Sequence, residues 1–211
     1  MSPTSEKLHG NAPHKSAVAL LLIDVINDLE FPEGDQLLSF ALPMARRIAT
    51  LRQQAQREKL PVIYVNDNFG RWRSDFNAQV EHCLHDRVRG QPIVELLVPN
   101  KDDYFVLKPR HSGFFSTSLD ILLENLGVRT VVLTGMAGNI CVLFTANDAY
   151  MRDFQVVVPS DCVASNTEEE NSFALEQMNK VLKAGTHLST ELSFAALSQA
   201  SSDVASPKVH E

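Results

Sequence analysis

Three residues far apart in the chain carry side chains suited to covalent acyl chemistry: Asp24, Lys108 and Cys141. Cys141 closes the run Val131-Val132-Leu133-Thr134-Gly135-Met136-Ala137-Gly138-Asn139-Ile140-Cys141. The run opens with β-branched residues, passes small residues and enters a helical period, so it reads as buried strand, tight turn and helix. N–H groups at a helix start lack intrahelical partners, and the helix dipole there favours negative charge. A cysteine in that first turn ionises more easily, and the thiolate is the reactive form. Gly135, Ala137 and Gly138 let backbone come close to a ligand. The pattern suits a nucleophile beside oxyanion donors. It suits equally well a buried structural cysteine, so the elements that carry the other two residues must decide.

Residues 17–23 form a continuous apolar run that ends at Asp24. Parallel strands covered on both faces look like this. A carboxylate at the carboxyl end of such a strand stands where open α/β sheets bind their ligands, although capping the turn at Asn27-Asp28 is an alternative role. Lys108 ends a strand predicted over 104–107, and Pro109 disfavours a helix starting there. Further strands are predicted over 61–65, 128–133 and 154–158, with a last edge strand at 186–188. Helical periods cover 42–58, a segment capped by Ser74-Asp75 and running to about 86, 92–97, 117–126 closed by Gly127, and 167–183. Residues 161–165 read as a loop, and a short helix starts at 189. Strands alternate with helices throughout. This gives an α/β fold, a three-layer αβα sandwich around a six-stranded, mostly parallel, Rossmann-like sheet. Residues 1–16 and 201–211 are expected to be flexible tails around one domain at 17–200. The ends of parallel strands share one edge, so an acid, a cation and a thiol would gather there.

The bulk composition agrees. A chain of 211 residues with 44% hydrophobic content supports one full core. A net charge of -7 without a basic block argues against nucleic acid or an anionic membrane as partner. The N-terminal stretch lacks the apolar core of a signal peptide. The three cysteines, Cys83, Cys141 and Cys162, are odd in number and widely spaced, which fits a reducing cytoplasm.

The residues around all three positions resemble a known family. Leu-Leu-Ile-Asp24, Lys108-Pro-Arg-His-Ser112-Gly-Phe114, Thr134-Gly-Met-Ala-Gly-Asn-Ile-Cys141-Val and Thr145-Ala-Asn-Asp-Ala149 are similar to the isochorismatase-like cysteine hydrolases. That superfamily includes nicotinamidases, N-carbamoylsarcosine amidases, and ureidoacrylate and biuret amidohydrolases. The resemblance runs from about residue 17 to about 165. It implies a catalytic triad of Asp24, Lys108 and Cys141, a cis peptide at Met136-Ala137, and an oxyanion hole from the N–H groups of Ala137 and Cys141. It implies hydrolysis of a small amide or ureido C–N bond through a thioester, with no cofactor. Such relatives are often dimers or tetramers, so a homo-oligomer is expected.

The departures are informative. Nicotinamidases carry an Asp-x-His pair and a further His that bind a metal, and here the matching stretch is Asp67-Asn68-Phe69. Phe69 cannot ligate, so no catalytic metal is expected, with Asp67 and His82 or His85 as the one possible remnant. A glutamine many relatives carry two residues after the aspartate is Ile26. True isochorismatases, which cleave a vinyl ether, lack the cysteine, so Cys141 argues against that reaction. Phe31, Phe69, Trp72 and Phe114 are candidates for an apolar substrate pocket, with His111 as a further contact. Arg71 or Arg73 offers a carboxylate clamp, or simply faces solvent. The competing readings are a vinyl-ether hydrolase on the same fold and a non-enzymatic binding or redox-sensing protein that uses Cys141.

Overall fold

The computed structural model describes residues 15–70 and 75–203. Trp72, Arg71 and Arg73 lie outside the described residues, as do most of the two expected tails. The strands are β1 (Val18–Ile23), β2 (Val62–Asp67), β3 (Tyr104–Lys108), β4 (Thr130–Met136), β5 (Gln155–Val157) and β6 (Val163–Ala164). They form a six-stranded sheet in the order β3-β2-β1-β4-β5, with β6 beside the end of β4. All the pairings are parallel. The order changes direction between β1 and β4. In open α/β sheets that crevice, at the carboxyl ends, is where ligands bind.

The helices are α1 (Gly34–Arg57), α2 (Phe76–His85), α3 (Gln91–Leu96), α4 (Leu119–Leu126), α5 (Leu143–Tyr150), α6 (Glu168–Leu182) and α7 (Phe194–Asp203). Two cores form because the pleat sends alternate side chains to opposite faces. Val18, Leu20 and Leu22 of β1 pack with residues of α1, α2, α3 and α7. Ala19, Leu21 and Ile23 pack with residues of α4, α5 and α6. Every residue of β1 is buried, which accounts for its unbroken apolar run. Asp75 caps α2 by accepting from Asn77 N, and Gly127 ends α4 in the left-handed conformation.

Several boundaries differ from expectation. Helix α1 starts eight residues earlier than predicted and runs through Pro43. Its buried stripe of Leu37, Ala41, Met44, Ala45 and Ile48 is continuous across the proline. Packing on both sides therefore outweighs the lost backbone bond. The predicted edge strand at 186–188 is absent; one bridge joins Val157 to Gly185 instead. The sixth strand is Val163–Ala164, inside the predicted loop. Two residues are too few to show a strand period. The C-terminal boundary also moves. Helix α7 continues to Asp203, and Ser201 is buried with its hydroxyl 2.6 Å from that of Thr130. At the other end Ser16 N donates to Leu126 O at 2.8 Å, so the expected tail is already anchored there. No helix among the described residues is long and apolar enough to cross a membrane.

Gly135 ties the fold to the site. Its φ is 114°, and a Cβ there would lie 2.0 Å from Ile23 O on the neighbouring strand. A side chain at this point would push β4 away from β1 at the crevice. Gly135→Ala should destabilise the protein by at least about 2 kcal/mol, read as a lower urea midpoint with an unchanged slope.

Candidate active site

Asp24 is the residue after β1. Its backbone is left-handed, with φ 52°, yet its N–H still continues the sheet by donating to Val65 O at 3.0 Å. The turn beyond it is braced by Asn66, a fully buried side chain on β2. Asn66 Nδ2 donates to Ile26 O at 2.6 Å, and its Oδ1 accepts from Ile26 N at 3.5 Å. Asp24 Oδ1 accepts from Asp67 N at 2.7 Å. The carboxylate is thus held by one backbone N–H, while its own backbone is fixed in the sheet.

Lys108 ends β3, and β2 lies between it and β1. Adjacent strands are about 4.8 Å apart, so the side chain must bridge roughly 10 Å of sheet. A lysine stem is long enough when laid along the sheet edge. Its Nζ lies 2.8 Å from Asp24 Oδ2, 3.4 Å from Asp67 Oδ2 and 3.4 Å from Cys141 Sγ. The lysine side chain is 0% exposed, Asp24 8% and Asp67 30%.

Cys141 enters from β4. The chain leaves the strand through a cis Met136-Ala137 peptide and makes one turn of π-helix, Gly138–Val142, before α5. The wider turn shows in Val142 N donating to Ala137 O at 3.2 Å. Gly138 is in tight contact: a Cβ would meet Asn171 Oδ1 at 2.5 Å. Ser165 Oγ accepts from Asn139 N at 3.1 Å and donates to Asn171 Oδ1 at 3.1 Å. Below Cys141, Thr145 Oγ1 donates to Cys141 O at 2.7 Å and accepts from Gly113 N at 3.0 Å. Asn66, Thr145, Ser165 and Asn171 are the frame that sequence reasoning did not assign. Thr145 opens one of the stretches that resemble the family, whereas Asn66, Ser165 and Asn171, as single polar residues, gave no local signal.

The electrostatics correct one expectation. The Cys141 thiol is harder to ionise than a free cysteine, not easier. Burial is the main cause, the Asp24 charge adds to it, and Lys108 only partly offsets both. Burial also raises the Asp24 carboxyl above its ordinary value, against the opposing pull of Lys108, the Cys141 hydrogen bond and the Asp67 N–H. Burial works against the Lys108 ammonium, but the charges of Asp24, Cys141 and Asp67 outweigh it, and its pKa is raised. The resting site therefore pairs a thiol with a carboxylate of enhanced proton affinity, beside a fixed cation.

The candidate substrate residues divide. Phe69 is 46% exposed, beside the site, with its N–H bonded to Asp67 Oδ1 at 2.6 Å. Phe31 is partly buried against the core on the α1 face. Phe114 is a core residue. It is buried in the core of α4 and α5, its ring 5.9 Å from that of Phe154 and 4.9 Å from the Arg152 guanidinium. His111 is likewise directed elsewhere, onto the Phe144 ring at 5.5 Å on the exposed side of α5. The reason is common to both. After β3 the chain runs back along α5, where Ser112 bonds Asp148 and Gly113 bonds Thr145, and does not stay over the sheet edge.

Asp67 is not grouped with His82 or His85. His82 sits between Asp86 at 2.7 Å and Asp28 at 3.3 Å, and His85 faces Glu81. No cluster of three or more His, Cys, Asp or Glu among the described residues could hold a metal ion. A cavity of about 270 Å³ lined by Val157, Leu188, Leu192 and Leu197 lies beside β5, away from the triad.

Known proteins share both the sequence and this architecture. The Isochorismatase domain model matches residues 18–191. The uncharacterized isochorismatase family protein YaaI of Bacillus subtilis is 44% identical over 170 residues, 81% of this chain and 93% of that protein. The ureidoacrylate amidohydrolase RutB of Methylorubrum extorquens is 44% identical over only 69 residues, 33% of this chain and 28% of its own. The solved N-carbamoylsarcosine amidase of Thermoplasma acidophilum superposes with TM-score 0.64 at 28% identity, covering 83% of this chain and 98% of that one. The pyrazinamidase/nicotinamidase of Streptococcus mutans gives 0.63 at 29%, covering 80% and 99%. With the domain match reaching from β1 past α6 and a relative so similar over most of its length, the chain belongs to the isochorismatase family of hydrolases.

Proposed function

We propose that the protein is a cysteine-dependent amidohydrolase that cleaves a small amide or ureido C–N bond through a thioester, using Asp24, Lys108 and Cys141. The observation that carries this reading is the position of Lys108 Nζ, 2.8 Å from the Asp24 carboxylate and 3.4 Å from the Cys141 sulfur. The likeness to an N-carbamoylsarcosine amidase and to a nicotinamidase supports the choice of a C–N bond. Nicotinamide itself is disfavoured, because Phe69 replaces the metal-binding histidine. We place the enzyme in the cytoplasm as a homo-oligomer, with a small molecule and no nucleic acid or membrane as partner.

The chemistry follows from the charges. Because burial keeps the thiol protonated, attack needs a base in contact, and Asp24 is hydrogen-bonded to Cys141. The Cys141 proton moves to Asp24 as the sulfur forms its bond to the carbonyl carbon. The carbonyl oxygen gains charge and is held by the N–H groups of Ala137 and Cys141. In other systems one such donor is worth about 3 kcal/mol of barrier. Asp24 then protonates the departing nitrogen. In the second half Asp24 takes a proton from water, whose oxygen attacks the thioester, and the sulfur regains a proton as it leaves. Lys108 stabilises the anionic partners throughout and cannot drift, since its stem is buried. Phe69 and Phe31 are proposed as the apolar rim.

Four outcomes test this. Cys141→Ala should retain the fold and abolish turnover in an ammonia-release screen of carbamoylated amino acids, biuret, ureidoacrylate-like compounds and nicotinamide. Wild-type protein quenched during turnover should carry a substrate-derived mass on Cys141; appreciable hydrolysis by Cys141→Ala would falsify the covalent route. The acid limb of kcat/KM should lie above the ordinary carboxyl value of 3.8, since burial raises Asp24 and only its ionised form accepts the proton. Lys108→Met should lower kcat by about a hundredfold or more, because the carboxylate and sulfur lose the cation they share.

A further inference from the structure

Asp67 is a charged group of the site that the triad mechanism leaves without a task. It is the last residue of β2 and the register partner of Lys108 on β3. Its backbone N–H orients Asp24 Oδ1 at 2.7 Å, while its own Oδ2 lies 3.4 Å from Lys108 Nζ. Its Oδ1 accepts from Phe69 N at 2.6 Å, and its carbonyl accepts from Gln79 Nε2 at 3.3 Å. It is therefore fixed at four points, and it is the carboxylate nearer to solvent of the two that meet the lysine.

The reaction changes the charges around Lys108. In the resting site its Nζ faces Asp24 from the end of β1, Asp67 from the end of β2 and Cys141 from the turn after β4. During attack the S–H bond breaks, an O–H bond forms on Asp24, and the sulfur electron pair becomes the C–S bond. The carbonyl π pair moves to the oxygen, which is held by backbone N–H groups. At that stage Asp24 is neutral and the sulfur carries no charge. A buried ammonium without a counter-charge is strongly disfavoured and tends to lose its proton. The one anion still in contact with Lys108 is Asp67.

We propose that Asp67 is a positioning residue that keeps the Lys108 ammonium charged and in place while Asp24 holds the proton taken from Cys141. The role rests on the amidohydrolase reading above. Its physical basis, a second carboxylate 3.4 Å from the lysine nitrogen, is testable without a substrate.

The test uses Asp24→Asn as a fixed stand-in for protonated Asp24. Full-length protein with 13C-labelled lysine is titrated, and the Lys108 Cε signal, assigned by its loss in Lys108→Arg, is followed by NMR. Lys108 in Asp24→Asn should titrate at least about one pH unit higher than in Asp24→Asn/Asp67→Asn. Asp67→Glu in the same background should restore most of the difference. Equal titration with and without the Asp67 carboxylate, or no recovery with glutamate, overturns the proposal. If the double variant does not fold, Asp67→Asn alone decides: a downward shift of Lys108 supports the role and an unmoved titration refutes it. Absence of an adduct on Cys141 in wild-type protein would remove the amidohydrolase reading and leave this titration result standing.

Discussion

A lysine ammonium with no exposed surface governs this structure. Sealing a charge from water costs several kcal/mol unless opposite charges replace the solvent. Here two carboxylates do so, from the ends of β1 and β2, with the Cys141 thiol beside them in the turn after β4. Everything that places those ends is therefore under the same constraint. The close approach of β4 to β1 at Gly135, the Asn66 brace under the Asp24 turn and the Thr145 link beneath Cys141 all serve to hold partners within reach of one nitrogen.

Burial also gives the site its chemistry. A solvated thiol, carboxyl and ammonium at the same spacing would titrate independently, each near its ordinary value. Excluding water raises both the carboxyl and the thiol, so their proton affinities move in the same direction. The helix start beyond β4 was expected to yield an easily ionised sulfur. Desolvation and the adjacent carboxylate override the helix dipole, whose effect is about 1 kcal/mol or less at an exposed end. The outcome is a buried thiol held in its protonated form beside a carboxylate.

The sheet topology explains why such distant residues meet. Strand order reverses between β1 and β4, which opens a crevice at their carboxyl ends. Asp24 and Cys141 leave from the two strands that border it. Lys108 belongs to the edge strand and reaches in over β2, which places Asp67 directly along its path. A second carboxylate beside the lysine is thus a geometric consequence of where the cation originates.

The sequence by itself determined a great deal. Unbroken apolar runs before Asp24 and before the small-residue turn marked buried parallel strands, because a strand covered on both faces leaves no polar register to read, whereas the run before Lys108 is a partly exposed edge strand. The alternation of these runs with amphipathic segments gave the three layers, and residue types at the strand ends gave the three reactive groups. Tertiary structure decided what depends on distant packing. Phe114 and His111 follow the Lys108 strand in sequence, yet packing sets Phe114 in the core and His111 against the Phe144 ring of α5. The two-residue strand at Val163–Ala164 exists only because the end of β4 has an open edge there. Asn66, Ser165 and Asn171 are unremarkable in sequence, since a hydrogen bond across 26 or 40 positions leaves no local pattern. The protonation of Cys141 belongs to the same class: the dipole at its helix start is local and legible, whereas the desolvation that overrules it comes from everything packed around it.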